Sequence, residues 1–392
     1  MSSRNKKIFQ FALRAVIGVG VMMLVLKSVS LGDWATLPDG SELRVTNWIE
    51  FQDDPRVEDP ARGAEIRLQV EGERGEIGLD EVARNDDGTP KVAVGLSTAA
   101  RSADALLILL SVLAFAPAPL LQSIRFRWMV RAQEIDLSLW EAMKLVYAGN
   151  FLNFVALGST GGDVFKAYYV STHTDRKTEA VTTVLLDRAV GMVSLVFFAM
   201  IVMLLRPDDP KIRPWIPIVA LILAGLVAGV FVAFSRRARA ILRVDDWIGR
   251  LPFGEQIKRI DAATHRMRNH PRLLLSALGL SMTLQGCAIT SFMLAGMGLG
   301  MQGSIAAIPD YLVYMSIGML VAAVPVSYQG LGTLDATLQV FFRGVYGSFS
   351  QILFLGFAIR LVQLFWALPG ALVPLTGSHG PSPEKLAQLD LE

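Results

Sequence analysis

The chain has 392 residues, of which 52% are hydrophobic and only 18% are charged, and its formal net charge is +2. A soluble domain of this size would need more charged residues to cover its surface. Nucleic-acid binding is not expected, because the net charge is small and the basic residues flank apolar runs. The composition indicates a protein that lies largely within a lipid bilayer.

Eight long apolar runs recur along the chain. Most of them approach the roughly 20 residues that a helix needs to span about 30 Å of hydrocarbon. They do not alternate in the way that strands of a membrane β-barrel do. We therefore predict an all-α polytopic membrane protein with about eight transmembrane helices, seven of them in a domain over residues 105–375. The runs are Ile8–Leu26, Ala105–Leu121, Leu139–Leu157, Thr182–Leu205, Trp215–Phe234, Leu273–Leu299, Ile308–Val326 and Ile352–Leu375.

Positive charges beside the first run predict its orientation. Arg4, Lys6 and Lys7 precede the run, so we expect a cytoplasmic N-terminus and a first transmembrane helix within residues 1–30. Cleavage of this run as a secretory signal is the alternative, because Ser28-Val29-Ser30 has the small residues of a cleavage site. Either interpretation places the next segment outside the cytoplasm.

Two basic blocks predict that later loops lie in the cytoplasm. The first contains Arg125, Arg127 and Arg131. The second, Ser235–Arg272, has 10 basic residues against 4 acidic ones. We expect a multi-pass protein of a bacterial inner (plasma) membrane, with residues 376–392 as a short cytoplasmic tail.

Residues 31–104 differ in composition from the rest of the chain, with 17 acidic residues against 8 basic ones. The strand-like pieces Glu42–Val45, Glu65–Val70 and Val92–Leu96 lie among turn signals such as Pro38-Asp39-Gly40. The pattern predicts a small β-rich, extracytoplasmic acidic insert. A solvated cap explains this composition more simply than a ligand-binding domain does.

Metal and nucleotide motifs are lacking in the sequence. Cys287 is the only cysteine and lies in an apolar run, and the four histidines never fall at metal-ligand spacing. No Walker A loop occurs. We expect no disulfide, no structural metal, no cofactor and no ATP-driven pumping by this chain.

Glycines and polar residues interrupt membrane-depth sequence in two places, Gly149–Tyr169 and Val324–Leu338. Unwound backbone at this depth must line a cavity or pack against protein, because unpaired N–H and C=O groups cannot face lipid. We predict a glycine-broken or re-entrant helix at each place. The residues that we assign to substrate binding are Asn150, Asn153, Gly161, Gly162, Asp163, Lys166, Asp187, Arg188, Gly330, Gly332, Asp335 and Arg360.

The two interruptions match in spacing. In each, a glycine lies five residues before an aspartate, and an arginine follows 25 residues after it. If the first interruption folds back to the cytoplasm, three predicted crossings separate the two, and the second starts from the opposite side of the membrane. This predicts an inverted-topology repeat, as in secondary transporters whose substrate site lies near the bilayer midplane. The matched residues are Gly158, Asp163 and Arg188 in the first copy, and Gly330, Asp335 and Arg360 in the second.

Charged residues at these places have more than one interpretation. A half-helix beginning near Asp163 or Thr333 would direct its positive N-terminal end into a cavity, which suits an anion. Each aspartate either caps such a helix or pairs with an intramembrane arginine. An arginine among apolar residues costs at least about 2.5 kcal/mol, so Arg188 and Arg360 should bind a carboxylate, a carbonyl or a substrate phosphate. Snorkelling to the interface is the alternative.

These motifs resemble the lysylphosphatidylglycerol synthase transmembrane family, also called flippase-like. The resemblance covers roughly residues 103–375 and the first span. It implies movement of aminoacylated phosphatidylglycerol between leaflets. The motifs are the asparagine-containing run into Gly161-Gly162-Asp163, the pair Asp187-Arg188, the loop Gly330-Leu331-Gly332 with Asp335, and Arg360.

The chain departs from the family pattern at several points. Val155-Ala156-Leu157-Gly158 lacks the expected proline, Asp335 replaces the usual glutamate, and the acidic insert is an addition. Only Thr376–Glu392 follows the last run, which is too short for the soluble synthetase domain. Aminoacyl transfer to lipid is therefore not assigned to this chain.

Two functions follow from the resemblance. The first is a flippase or transporter of an anionic or aminoacylated phospholipid or lipid-linked headgroup. In it, Arg188, Arg360 and Lys166 balance the phosphate, and the three aspartates pair with those arginines or with a substrate ammonium group. The alternative is a membrane-embedded enzyme, or an enzyme's partner, in lipid-linked glycan assembly or lipid modification. The expected partners are a membrane lipid and a separate synthetase or glycosyltransferase.

Overall fold

A computed structural model of the protein is mainly helical, with a small sheet before the helices. The chain folds into two compact units, described separately below. Unit 1 contains Met1–Ala114 and Ile289–Val362, and unit 2 contains Phe115–Ala288 and Gln363–Glu392. The structure describes residues 33–49, 67–71, 75–84, 92–93, 103–155, 161–172, 174, 177–235, 237, 270–323, 330–343, 345–347 and 349–373.

The acidic segment forms an antiparallel five-stranded sheet in unit 1, in the order β4-β3-β2-β1-β5. Ala35, Leu68 and Ile77 are almost completely buried in its core. The predicted turn at Gly40 joins β1 to β2, and its φ of +85° suits glycine. The predicted β-rich insert is thus confirmed, whereas its extracytoplasmic location stays a prediction. The strands are β1 (Asp33–Thr36), β2 (Glu42–Ile49), β3 (Arg67–Val70), β4 (Glu76–Gly78) and β5 (Val92–Ala93).

Ten α-helices follow within the described residues, and local capping sets the start of two of them. Asp104 Oδ1 accepts the backbone N–H groups of Leu106 and Leu107 at 2.9 and 3.1 Å. Ser138 and Glu141 form a reciprocal capping box. The helices are α1 (Ala105–Phe115), α2 (Pro117–Arg131), α3 (Leu139–Val155), α4 (Gly161–Thr172), α5 (Lys177–Met203), α6 (Trp215–Phe234), α7 (Pro271–Gly298), α8 (Ile308–Ala323), α9 (Thr333–Phe342) and α10 (Phe349–Ala367).

In the part of the chain that the structure describes, four helical stretches are long and apolar enough to cross a membrane. At most 39% of the most apolar window in each is buried inside the protein. Large apolar side chains such as Leu109 and Leu275 are therefore exposed, at 54% and 69%. Lipid is the solvent that such surfaces require. The stretches are Ala105–Arg131, Lys177–Met203, Pro271–Gly298 and Phe349–Ala371.

The predicted count of about eight spans stays a prediction. The first apolar run, Ile8–Leu26, lies outside the described residues. The run that begins at Leu139 forms α3, which has 17 residues. Two further apolar helical segments, Trp215–Gly229 and Ile308–Ala323, are shorter than the four spans.

Each interruption contains the start of a short helix. In unit 2, α3 ends at Val155 and α4 begins at Gly161; residues 156–160 lie outside the described part. In unit 1, α8 ends at Ala323 and α9 begins at Thr333, where the sequence predicts a helix start. Each unit therefore contains one short helix that begins at the predicted break.

Candidate functional site

Asp163, in the first turn of α4, lies between two cations within unit 2. Arg188 Nη1, from α5, donates to Asp163 Oδ2 at 2.8 Å. Lys166 Nζ lies 2.8 Å from Asp163 Oδ1, one turn along α4. The lysine side chain is 5% exposed and the arginine side chain 36% exposed. These three residues, which we call the α4 cluster, carry a formal charge of +1.

Close contact between α3 and α4 builds the pocket for Lys166. A Cβ atom on Gly162 would lie 2.0 Å from Gly149 O, so the two helices meet backbone to backbone. Gly149 also leaves room for the lysine stem, because a Cβ there would lie 3.3 Å from Lys166 Cε. Asn153 Oδ1 accepts the Gly162 N–H at 2.9 Å, and the ammonium lies 5.5 Å from the Phe126 ring centroid. These contacts fix Lys166 beside Asp163.

The other two predicted residues of this segment are placed differently. Asn150 Nδ2 donates to Gln122 Oε1 at 3.1 Å and so links α3 to α2. Gly161 is the first residue of α4. Asn150 therefore contributes to the packing of α3 against α2, and neither residue contacts the cations of the α4 cluster through an ion pair.

Asp187 binds Arg125 in a separate buried group of unit 2. Arg125 Nε and Nη2 donate to the two carboxylate oxygens at 2.8 and 3.1 Å, and Nη1 donates to Ser281 Oγ at 2.6 Å. Both charged side chains are less than 10% exposed. The group ties together α2, α5 and α7. Asp187 is thus the neighbour of Arg188 in sequence but the partner of Arg125 in space.

The sequence did not predict the role of Arg125 in this buried group, because its position beside an apolar run was interpreted only as evidence for membrane orientation. Its partners are 62 and 156 residues away, so no local spacing links them. One signal was available. Arg125 lies six residues before the basic C-terminal end of α2, within the helix, where an arginine needs a partner.

Asp335 and Arg360 form a two-point ion pair within unit 1. Arg360 Nη1 and Nη2 donate to Asp335 Oδ1 and Oδ2 at 2.9 Å each. The guanidinium also donates to the carbonyls of Gly356 and Gly330, at 2.7 and 3.3 Å. Asp335 Oδ2 accepts the Gly332 N–H at 2.9 Å, so the aspartate also caps α9. Both interpretations of Asp335, capping and pairing, hold together.

Glycine is required at three positions around this pair. Gly330 and Gly332 have φ values of +70° and +81°, in the left-handed region that favours glycine. A Cβ on Gly356 would lie 2.1 Å from Asp335 Oδ1. The turn before α9 and the close approach of α10 both depend on these missing side chains.

The two Asp–Arg pairs differ in one neighbouring position. Lys166 lies three residues after Asp163, whereas buried Leu338 lies three residues after Asp335. The pair in unit 1 is neutral, and the α4 cluster keeps its extra positive charge.

The protein has several apolar helices long enough to span a membrane, and ion pairs lie among its helices. These features identify a multi-pass integral membrane protein. Within that class, the family model of the lysylphosphatidylglycerol synthase TM region matches residues 93–370, well over half of the chain. The chain belongs to this family, which confirms the resemblance seen in the sequence. The match begins at the last strand, so most of the acidic sheet lies outside it. No curated protein and no solved structure matches the chain.

Proposed function

We propose that this protein moves a lipid with an anionic headgroup, either a phospholipid or a lipid-linked group, between the leaflets of its membrane. The α4 cluster is the observation that carries the proposal. One carboxylate lies between two cations there, among apolar helices, and the Arg188 side chain is 36% exposed. Family membership supports a lipid as the substrate.

Charge at membrane depth is costly and is a mark of function in membrane proteins. A lipid phosphate carries a charge opposite to the formal +1 of the three residues in the α4 cluster. The planar guanidinium of Arg188 suits phosphate oxygens, because it offers several N–H donors in a fixed geometry. The N-terminal end of α4, which begins two residues before Asp163, adds a favourable dipole for an anion.

The proposal includes a repeat. Each unit contains a short helix with an aspartate at its third residue and an arginine 25 residues further on, in α5 for unit 2 and in α10 for unit 1. This similarity supports the proposal that the two units contain two copies of one structural repeat. Inversion of the second copy is the arrangement that secondary transporters use.

Leaflet exchange of acyl-labelled fluorescent phosphatidylglycerol in liposomes tests the proposal, with a membrane-impermeant reductant as the quencher. We expect the wild-type protein to exchange the probe faster than protein-free liposomes do, and Arg188→Ala to lose most of that rate. Arg131→Ala is the matched control, because Arg131 is half-exposed and binds only exposed Asp136 among the ion pairs of the described residues. No exchange of any anionic lipid from the host membrane by folded wild-type protein would turn attention to the enzyme-partner alternative.

A further inference from the structure

We propose that Gln285 is a specificity-determining residue of the lipid site, and that its side-chain carbonyl accepts a hydrogen bond from the lipid headgroup. The inference rests on the proposed function and adds a substrate contact in unit 2 outside the α4 cluster. A headgroup hydroxyl and a headgroup ammonium both supply the donor. The chemistry that the site recognises is therefore an O–H or N–H group on the headgroup.

Gln285 lies in the middle of a spanning helix. It is the fifteenth of the 28 residues of α7, which runs from Pro271 to Gly298. This helix is one of the four described stretches long and apolar enough to cross a membrane, so its midpoint falls near the centre of the bilayer. A polar side chain at that depth is costly, and it needs a hydrogen-bond partner from the protein or from a substrate.

The side-chain carbonyl of Gln285 has no such partner within the described part of the chain. The residue is 8% exposed, and its Oε1 accepts no hydrogen bond there. Three other buried atoms share this lack, but two of them, on Gln133 and Gln339, lie beyond the end of α2 and in the last turn of α9. The third is Nε of Arg360, whose guanidinium donates to Asp335 and to two backbone carbonyls.

Polar groups of unit 2 lie one turn away on the same face of α7. Ser281 precedes Gln285 by four residues and accepts a hydrogen bond from Arg125 at 2.6 Å. Ser281 donates its only hydroxyl hydrogen to the Ala277 carbonyl at 2.8 Å, so it has none for Gln285. This face of α7 is turned to the protein interior, because its residues are each less than 10% exposed: Ala277, Ser281, Gln285 and Ala288.

Helix α5 links this level of α7 to the α4 cluster. Its consecutive residues Asp187 and Arg188 have different partners, since Arg188 binds Asp163 and Asp187 binds Arg125. A headgroup whose phosphate is held at the α4 cluster therefore has a neutral acceptor within the same unit. A neutral amide suits a transient contact, because it binds a donor less strongly than a carboxylate does and so releases it more readily. The contact forms while the headgroup crosses, when the helices move against one another.

Leaflet exchange of three acyl-labelled lipids tests the inference. Phosphatidylglycerol carries hydroxyl donors, phosphatidylethanolamine carries an ammonium group, and phosphatidylmethanol has the phosphodiester charge without either donor. We expect Gln285→Leu to slow the first lipid, the second or both by about tenfold, and to leave phosphatidylmethanol within about twofold of the wild-type rate. The lipid that is slowed identifies the donor. Thr283→Val is the matched control, because Thr283 is on the exposed side of α7 and its hydroxyl donates to the Gly279 carbonyl.

The unfolding midpoint separates a substrate contact from a structural role. A buried acceptor without a partner destabilises the fold, so Gln285→Leu should unfold at the wild-type temperature or above it. A lower midpoint together with equal slowing of all three lipids overturns the inference, because it indicates a partner within the protein. Unchanged rates for all three lipids in Gln285→Leu also overturn it.

Two further outcomes keep the test decisive. Exchange of none of the three lipids by folded wild-type protein contradicts the proposed function, and the inference falls with it. If Gln285→Leu does not fold, Gln285→Asn replaces it, since asparagine keeps the amide but withdraws the carbonyl by one methylene. This variant should slow the donor-bearing lipid and spare phosphatidylmethanol, and equal effects on both would overturn the inference.

Discussion

Arg360 and Asp335 are joined by two parallel hydrogen bonds of 2.9 Å, and their side chains are 15% and 12% exposed. This geometry is the strong, bidentate form of an ion pair. Removal of one partner leaves the other as an uncompensated buried charge, which costs about 3–5 kcal/mol. Removal of either partner should therefore destabilise unit 1.

We predict that Arg360→Met lowers the free energy of unfolding by about 3 kcal/mol or more, because the Asp335 carboxylate loses its cation. The unfolding midpoint in detergent measures the effect. The double variant Arg360→Met with Asp335→Leu should recover part of the loss, since no charge then remains. Arg343→Met, at an exposed arginine of the same unit, should shift stability by only about 0.5 kcal/mol. If Arg360→Met were as stable as the wild type, the Asp335 carboxylate would have found another partner, which would contradict the prediction.

Substitutions in the Arg125–Asp187–Ser281 group should lower the free energy of unfolding by different amounts. Arg125→Met should cost about 3–5 kcal/mol, because it leaves Asp187 charged at 2% exposure. Ser281→Ala removes two hydrogen bonds, one accepted from Arg125 and one donated to the Ala277 carbonyl, and should cost about 1–2 kcal/mol. A double-mutant cycle of Arg125 and Asp187, read as unfolding midpoints, measures their coupling. Coupling near zero would mean that the pair contributes nothing to holding α2 against α5.

A larger residue at Gly162 should disturb the α4 cluster sterically. In Gly162→Ala, the added Cβ would lie 2.0 Å from Gly149 O, so α3 and α4 must separate. Forced overpacking of this kind costs about 1–3 kcal/mol. Because Lys166 lies against the same contact, we expect lipid exchange to fall together with the unfolding midpoint.

Gly225→Ala is the control for this variant. Gly225 lies in α6 with nothing within 4 Å of its added Cβ. Alanine in a helix is favoured over glycine by about 0.5–1 kcal/mol, so this variant should be at least as stable as the wild type. Equal behaviour of the two alanine variants would contradict the tight contact between α3 and α4.

The Asp–Arg pairs could be predicted from the sequence because the constraint on them is simple. An arginine among apolar residues needs an anion, and Asp163 and Asp335 were among the carboxylates expected to pair with Arg188 and Arg360. The start of α9 at Thr333 could be predicted for a similar reason, because glycines precede it and an acidic residue lies in its first turn. In these cases the deciding information lies within one or two helices.

Contacts between distant helices could not be predicted in this way. Arg125 meets Asp187 and Ser281 only because α2, α5 and α7 turn particular faces toward one another. The burial of Lys166 depends on Gly149 and Gly162 letting two backbones touch. The sequence predicted strand-like pieces at β2, β3 and β5 but none at β1 and β4.

The orientation of the membrane helices gives the last prediction. If the first glycine-broken segment returns to the cytoplasm, α5 runs outward and the loop after it lies outside. Two exposed positions report the two sides: Asp136, before α3, and Asp208, after α5. Cys287 is the only cysteine, so Cys287→Ala provides a cysteine-free background for Asp136→Cys and Asp208→Cys.

A membrane-impermeant maleimide applied to intact cells should label the cysteine at position 208, whereas the cysteine at position 136 should react only after lysis. Labelling of both after lysis is the control for reactivity. A position 208 that stays unreactive in intact cells, while position 136 is also protected, would mean that the first glycine segment crosses the membrane fully. The second segment would then start from the same side as the first, and the inverted repeat would be wrong even if both Asp–Arg pairs are essential.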